Sequence, residues 1–372
     1  MDLATRVNRA TYTLGFLAAL AAPGSLFAEE KQVRTDYVYS SNRYDGWGDR
    51  ILFGGYSYAS SLTTGLPTEA KEAKAIYSRS TSGNEPAQVV FRVRDGYIVD
   101  FAPSSSGRLA VLAVHVEGNS EEPSAVRANK VALHVSDATG SPIVNRLEPV
   151  RDFKWDSSGT LLAYCTGDAD GSIDDFRMNG TWVLDTRSGK STKVLETGRH
   201  VAWADFDGNL YIRDVPPSVA GQPRTWRYDP RTGSVVEVPY KGIHFSPSGL
   251  YYFEKKSPNY GRFDLFESSS GRSLLASSTL LKGLVPEPVG WMPDGDVLIL
   301  QSWYYGEPGT SQPVAHTMLY DARSGQVVDL GEIAVLGFDR SRRVVKWERG
   351  AIMRTDVDEL THGGLPPQRT PK

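Results

Sequence analysis

The fold is decided by a short repeated stretch, and its clearest copy reads Trp155-Asp156-Ser157-Ser158-Gly159 before the apolar run 161–165. An aromatic residue, a polar turn ending in glycine and an apolar segment are together typical of a β-hairpin. The same pattern recurs along the chain. Its other copies lie at 101–107, 206–208, 245–249 and 291–295, with a degenerate sixth copy at 338–341.

A second turn signal alternates strictly with the first. It runs from an Asp, Glu or Ser to a glycine and has six copies, at 80–83, 137–140, 185–189, 229–233, 267–271 and 321–325. The glycines that end successive copies of the first signal are about 41 to 52 residues apart, which is the period of four-stranded propeller blades. The sequence therefore predicts an all-β, six-bladed β-propeller of four-stranded blades.

The order of the signals also predicts how the ring closes. The first turn is of the second kind and the last is of the first kind, so residues 75–93 form one half of a blade and residues 334–357 the other half. Pairing the two halves would close the propeller with N-terminal and C-terminal strands in one blade and protect both edges. Seven blades are the alternative, if residues 37–59, which include Ile51-Leu52-Phe53, form strands of their own.

The chain divides into four parts. Residues 1–28 have the pattern of a signal peptide: Arg6 and Arg9 precede the apolar run 14–22, and the small residue Ala28 marks the cleavage point. Residues 29–74 are an N-terminal extension, 75–357 the β-propeller and 358–372 a flexible tail. The apolar run is shorter than the roughly 20 residues that cross a bilayer. We therefore expect a periplasmic or secreted protein with no membrane insertion after cleavage.

The composition limits the class of partner. Lys and Arg number 41 and Asp and Glu 44, for a net charge of −3, and a nucleic-acid binder needs a basic surface. We therefore expect no nucleic-acid partner, and a monomer. Cys165 is the single cysteine, so no intramolecular disulfide forms, and its apolar surroundings predict a buried side chain.

The first turn signal carries a family resemblance. The copies at 155–164, 245–249 and 291–295 resemble the aromatic-Ser-Pro-Asp-Gly turn of the TolB-like (WD40-like, PD40-type) β-propeller repeat. The same motif occurs in the propellers of prolyl oligopeptidase and dipeptidyl peptidase IV relatives. The resemblance implies a propeller over residues 75–357 and marks a blade turn, but it implies no chemistry.

The lengths of the connections predict the functional face. Connections between the second and third strands of each blade are long and varied, whereas those on the opposite face are tight turns, and long loops on a rigid scaffold usually carry function. We call these the long-loop face and the short-turn face. The sequence predicts an exported noncatalytic propeller that binds a protein or peptide partner there. The candidate ligand-binding residues are Trp303, Tyr304, Tyr305, Tyr260 and Arg262.

One long loop carries a candidate metal site. Four carboxylates surround a glycine there, and calcium prefers several oxygen ligands; the residues are Asp168, Asp170, Asp174 and Asp175. The loop lacks the spacing of an EF-hand, and a solvated acidic turn is the alternative. The sequence thus predicts no obligatory cofactor, with calcium as the candidate.

No catalytic residue is predicted. The six histidines are scattered without the paired spacing of a zinc site, and His134 alternates with Leu133 and Val135 as a strand residue. The alternative function is a propeller enzyme, a hydrolase or lyase acting on a carbohydrate or other small substrate in the central channel. A channel lined by convergent ionisable groups with shifted pKa values would favour this alternative.

Overall fold

The computed structural model describes residues 50–54, 74–80, 88–94, 96–115, 131–137, 139–147, 149–167, 178–214, 223–255, 263–276, 286–292, 295–305, 313–338, 344–348 and 351–355. Within these residues every regular element is a β-strand. Each sheet is an antiparallel meander of consecutive strands. The protein is an all-β propeller, as the repeated turns predict.

The described strands form seven sheets. Sheet 1 contains β1 (Arg50–Gly54), β2 (Ala75–Ser80) and β3 (Gln88–Arg92). Sheet 2 contains β4 (Gly96–Pro103), β5 (Leu109–His115), β6 (Val131–Ser136) and β7 (Pro142–Leu147). Sheet 3 contains β8 (Val150–Trp155), β9 (Leu161–Gly167), β10 (Met178–Asp185) and β11 (Lys190–Leu195). Sheet 4 contains β12 (His200–Trp203), β13 (Leu210–Asp214), β14 (Arg224–Asp229) and β15 (Ser234–Val238). Sheet 5 contains β16 (His244–Phe245), β17 (Tyr251–Lys255), β18 (Phe263–Glu267) and β19 (Ser273–Ala276). Sheet 6 contains β20 (Glu287–Trp291), β21 (Val297–Tyr305), β22 (Pro313–Asp321) and β23 (Val327–Gly331). Sheet 7 contains β24 (Ala334–Phe338), β25 (Val344–Glu348) and β26 (Ala351–Thr355).

The two ends of the chain differ from the predicted closing blade. Residues 75–93 and 334–357 fall in separate three-stranded sheets, and no described strand pair joins them. The physical reason is that β2 has no open edge, because β1 pairs with one side of it and β3 with the other. Strand β1 contains Ile51-Leu52-Phe53 and lies inside the predicted extension 29–74; it is the strand that the seven-blade alternative requires.

The predicted turn glycines have the backbone conformation that hairpin turns require. Every predicted turn glycine among the described residues has a positive φ, from 66° at Gly271 to 124° at Gly295. A side chain is strained at such angles, so glycine is the natural residue there. The alternation of the two turn signals therefore reflects the real order of the hairpins.

The core lies between the sheets. Strand β5 is buried along nearly its whole length on both faces, whereas the outermost strands β11 and β15 contain exposed and partly buried residues. A strand buried on both faces is sandwiched between neighbours. Six clusters each combine side chains of two consecutive sheets, for example Ile76 with Phe101, Leu112 with Trp155, Cys165 with Ile212, Tyr211 with Ile243, Phe253 with Leu298, and Leu319 with Val335.

Cys165 is buried as predicted, at 0% exposure, and burial raises the pKa of its thiol.

Buried threonines form hydrogen bonds to the connections between sheets, which the sequence analysis did not predict. Thr181 Oγ1 donates to the Thr197 carbonyl at 2.9 Å and Thr225 Oγ1 to the Tyr240 carbonyl at 2.7 Å. Thr317 Oγ1 donates in the same way to the Ile333 carbonyl. Each bond fixes the segment that leads from one sheet to the next.

Candidate functional site

The first strands of sheets 2 to 6 converge on one cavity of about 320 Å³. Since the first strand of each propeller sheet lies nearest the axis, this cavity is the described part of the central channel. Two residues of β17, Phe253 and Lys255, complete the wall. The lining includes the ionisable and aromatic residues Asp100, Lys154, Trp203, His244, Phe253, Lys255 and Trp291.

Corresponding positions in the five sheets line the channel with different chemistry. In each sheet the position lies two residues before the backbone N–H that closes the first turn. The occupants are Ala102, Lys154, Ala202, His244 and Gly290. Because only Lys154 and His244 are polar in this set, the ring of sheets is chemically asymmetric at its axis.

Tryptophans lock adjacent first strands together. Trp155 Nε1 donates to the Ala102 carbonyl at 2.9 Å, Trp203 Nε1 to the Lys154 carbonyl at 3.0 Å, and Trp291 Nε1 to the His244 carbonyl at 2.9 Å. Each bond runs from one sheet to the preceding one. The backbone that presents Lys154 and His244 to the channel is therefore held by the next sheet.

Asp152 is a carboxylate held in its ionised form. Its Oδ1 lies 3.5 Å from Lys154 Nζ and accepts from the Phe153 N–H at 2.9 Å, while its Oδ2 lies 3.7 Å from His200 Nδ1. Burial raises the pKa of Asp152, but Lys154, His200 and the Val201 N–H outweigh burial and hold the pKa at about 2. Asp152 thus fixes Lys154 and His200 beside the cavity.

His244 is a neutral imidazole at the channel wall. Its ring stacks on Phe253, with centroids 4.7 Å apart. Burial is the largest cause that lowers the pKa of His244, and Lys255, Lys154 and His200 lower it further, to about 3. The channel walls shield the ring from bulk solvent, but its surface is open to the channel, and among the described residues its ring nitrogens have no hydrogen-bond partner.

Lys255 ends β17, two residues after Phe253 and on the same side of the strand. Burial lowers the pKa of its ammonium; Glu287 opposes this change, and Lys154 adds to it. Within the described part of the chain Lys255 has no ion pair within 4 Å. Lys255 and His244 therefore both face the cavity with polar groups available to a ligand.

The predicted ligand-binding residues are only partly described. Trp303, Tyr304 and Tyr305 are not in a loop: they are the last three residues of β21, paired with Ala315, Val314 and Pro313. Aromatic residues favour extended backbone, which explains why the strand continues through them. Tyr260 and Arg262, and the calcium candidates Asp168, Asp170, Asp174 and Asp175, lie outside the described residues.

The channel residues were missed by sequence reasoning. Lys154 and His244 lie directly before the aromatics of the first turn signal, Trp155 and Phe245, so their spacing from the turn glycine could have placed them at the axis. No local motif marks Lys255. Among the described residues, no group of three or more His, Cys, Asp or Glu side chains is placed to hold a metal ion.

Comparisons with known proteins agree with the fold at low identity. No protein family and no curated protein matches the sequence. A structure titled oligogalacturonate lyase in complex with manganese is similar, with 14% identity, 66% of this chain and 72% of that chain covered, and a TM-score of 0.47. TolB from Acinetobacter baumannii is similar over 76% of this chain and 63% of that chain, with 14% identity and a TM-score of 0.40.

The β-propeller domain of the Trilobed protease from Pyrococcus furiosus, whose title describes an open velcro topology, is also similar. It has 13% identity and a TM-score of 0.43, with 70% of this chain and 80% of that chain covered. These likenesses concern the fold alone and are consistent with the TolB-like resemblance of the turns. They include enzymes and TolB and so do not separate binding from catalysis.

Proposed function

We propose that this protein is an exported binding protein whose central channel holds a carboxylate-bearing segment of a protein or peptide partner, entered from the long-loop face. The observation that carries the proposal is the pair Lys255 and His244, which face one cavity without protein partners for their polar atoms within the described residues. An ammonium and a neutral imidazole can both donate to a carboxylate oxygen.

Lys154, Lys255 and His244 form the part of the cavity wall that favours an anion, whereas Asp100 is a carboxylate in the same lining. Burial is the main cause that lowers the pKa of both Lys255 and His244. Lys154 lowers both pKa values further, so its positive charge repels these groups across the channel, whereas Glu287 raises the pKa of Lys255 and Asp152 raises that of His244. A bound carboxylate would relieve this repulsion. Asp152 does not supply the same relief to Lys255, because its carboxylate is committed to Lys154 and His200.

The walls suit an organic ligand. Trp203, Trp291 and Phe253 line the cavity beside the charged groups. A volume of about 320 Å³ is at the lower end of the range for small-ligand sites, so it accommodates a few groups of a longer ligand. Lys255 and Tyr305 each end the second strand of a sheet, which supports a role for residues 303–305 in the same binding region.

Export is part of the proposal and rests on the pattern of residues 1–28, which lie outside the described residues. The described chain contains no helix of the length and apolar character needed to cross a membrane. Intact-mass measurement of material exported by a host tests this part directly. Cleavage after Ala28 is the expected result, and a retained Met1 contradicts it.

The binding function is tested with a library of short peptides that have either a free or an amidated C-terminus. Tryptophan fluorescence reports entry, because Trp203 and Trp291 line the cavity. We expect the selected peptides to depend on a carboxylate and to bind Lys255→Met at least ~10-fold more weakly, as expected for a charge-assisted contact. Lys190→Met, on the exposed outer strand β11, is the matched control. Failure to select any peptide, or equal affinity for Lys255→Met, contradicts the proposal.

Catalysis in the channel is the second candidate function. The observation that favours it is that His244 shares one cavity with Lys154 and Lys255. A substrate carboxylate held by the lysines would raise the pKa of the imidazole, which could then accept a proton from the substrate. The test is incubation with acidic oligosaccharides and other carboxylate-bearing substrates, followed by mass spectrometry of the products. Turnover that disappears in His244→Asn while binding persists would establish this function, and no turnover would reject it.

A further inference from the structure

A pair of histidines lies outside the channel. His115 Nε2 and His134 Nε2 lie 2.9 Å apart, and the ring centroids are separated by 5.1 Å at an angle of 53°. The two rings therefore meet at their tips rather than stacking. His115 ends β5, and His134 lies within β6 of the same sheet.

The strand register explains why the two rings can meet. His134 pairs with Val111, and the next position on the same face is the pair Ala113 and Ala132, which are both fully buried. His115 lies two residues beyond Ala113, on that face again. Because both side chains of the pair Ala113 and Ala132 are small, the imidazoles of His115 and His134 can extend over this pair from opposite sides and meet.

The surroundings restrain the rings. Phe91 of β3 lies against His134, with centroids 5.4 Å apart at 55°. This contact belongs to the boundary between sheets 1 and 2, where Phe91 and Val90 pack against the cluster that includes Val111 and Ala113. One wall of the histidine pair is therefore aromatic and its floor is formed by the two alanines. A partly buried pair of imidazoles in such a setting has few alternative rotamers.

We propose that His115 and His134 form a binding site for a divalent first-row transition metal ion of the Cu²⁺ or Ni²⁺ type. Imidazole nitrogens are preferred ligands of these ions, which favour square-planar or octahedral coordination. Two nitrogens bound at about 2.0–2.1 Å and at right angles are about 2.9 Å apart, which is the separation of the two Nε2 atoms. The geometry thus matches two adjacent ligands.

Among the described residues no third His, Cys, Asp or Glu side chain joins the pair as a metal ligand. For both Nε2 atoms to bind the ion, both rings must carry their proton on Nδ1. When the ion is absent, one Nε2 donates to the other, and that ring moves its proton to Nδ1 when the ion enters. Metal binding should therefore weaken as the pair becomes protonated at low pH.

Calorimetric titration with Cu²⁺, Ni²⁺ or Zn²⁺ tests the site, with Ca²⁺ and Mg²⁺ as hard-ion controls and protein that carries no polyhistidine tag. The wild type should bind one Cu²⁺ or Ni²⁺ ion, more tightly than Zn²⁺. Loss of a residue that merely orients a metal ligand weakens binding about 10–100-fold, so His115→Asn and His134→Asn should each weaken it at least as much. The double variant should be no worse than either single variant.

His316→Asn is the matched control, because His316 contacts Asp329 at 2.7 Å in sheet 6 and should leave metal binding unchanged. Melting temperatures keep the result interpretable: the ion should raise the melting temperature of the wild type and of His316→Asn, but of neither pair variant. If His134→Asn does not fold, His115→Asn, at the end of its strand, still tests whether the pair binds the metal. Absence of Cu²⁺ and Ni²⁺ binding to the wild type, or binding that survives either pair substitution, overturns the proposal.

Discussion

Trp203 Nε1 donates a hydrogen bond to the carbonyl oxygen of Lys154 at 3.0 Å, across the boundary between sheets 3 and 4. Trp155 and Trp291 make the corresponding bond to the preceding sheet. The carbonyl acceptor in two of these bonds belongs to a polar channel residue, Lys154 or His244. The indoles therefore stabilise the ring of sheets and also fix the backbone of the candidate site.

The first prediction isolates this hydrogen bond. Trp203→Phe removes the donor, and we expect it to lower the free energy of unfolding by about 1–2 kcal/mol more than Trp226→Phe does. Trp226 is the matched control because its buried indole nitrogen has no hydrogen-bond partner among the described residues, so the same loss of ring size leaves no unpaired carbonyl. Urea unfolding measures both values, and equal losses would contradict the interpretation.

The second prediction concerns an arginine at the second turn of sheet 6. Arg323 Nε lies 2.6 Å from Oδ2 of the fully buried Asp296, whose Oδ1 accepts from Ser248 Oγ of sheet 5 at 2.5 Å. Removing one partner of a buried ion pair costs roughly 3–5 kcal/mol, and Arg323 is partly exposed. We therefore expect Arg323→Ala to cost about 3 kcal/mol.

Arg231 is the control for that substitution. It occupies the corresponding turn position in sheet 4 but pairs only with Asp229, at 3.2 Å, with 74% of its side chain exposed. An exposed pair contributes about 0–1 kcal/mol, so Arg231→Ala should change the midpoint of chemical unfolding little. A cost for Arg323→Ala no larger than that for Arg231→Ala would show that the ion pair between Arg323 and the buried Asp296 is not stabilising.

The third prediction concerns strand β1. A chain that begins at residue 49 retains β1, whereas a chain that begins at residue 56 exposes the edge of β2 with which β1 pairs. Open strand edges promote association. We expect the shorter chain to melt at a lower temperature and to aggregate in light scattering, and the longer chain to match the intact protein. Identical behaviour of both chains would remove β1 from the essential fold.

The fourth prediction concerns pH. The pKa of His244 is about 3 in the folded protein, against 6.5 for a solvent-exposed imidazole. The unfolded state therefore binds the proton more readily, and stability falls as the pH decreases from about 6.5 toward 3. His244→Asn should reduce this loss. The check is the melting temperature from pH 7 to pH 4, together with an NMR titration of the imidazole.

Asp152 should act in a lower pH window. Its pKa falls from 3.8 to about 2 on folding, so its contribution is present above about pH 4 and is lost as the pH falls through this interval. Asp152→Asn should therefore flatten the stability profile below pH 4. A profile below pH 4 that is the same in Asp152→Asn and the wild type would contradict this assignment.

The sequence carried enough information for the architecture because turns are local. Gly107, Gly159 and Gly249 mark hairpins through backbone angles that few other residues adopt. It was less clear from the sequence which aromatic residues occupy equivalent positions in the different sheets. The residue of sheet 4 that corresponds to Trp155 is Trp203 rather than Phe206, which is 39% exposed and packs against Gly249 of the next sheet.

The candidate sites were harder to find because they depend on register and on the ring. His115 and His134 are 19 residues apart, and only the pairing of β5 with β6 brings their tips together. Lys154, His244 and Lys255 come from sheets 3 and 5, and no spacing along the chain shows that these sheets share an axis. The order of the sheets could be predicted from turns, whereas the meeting of these side chains needed three dimensions.

Channel binding is the central claim, and one calorimetric comparison tests it most directly. A selected peptide with a free carboxylate is titrated into the wild type, Lys255→Met and Lys190→Met, and the amidated form of the peptide is titrated into the wild type. The account predicts that Lys255→Met and peptide amidation each weaken binding at least ~10-fold, while Lys190→Met binds like the wild type. Equal binding by Lys255→Met and the wild type would contradict it.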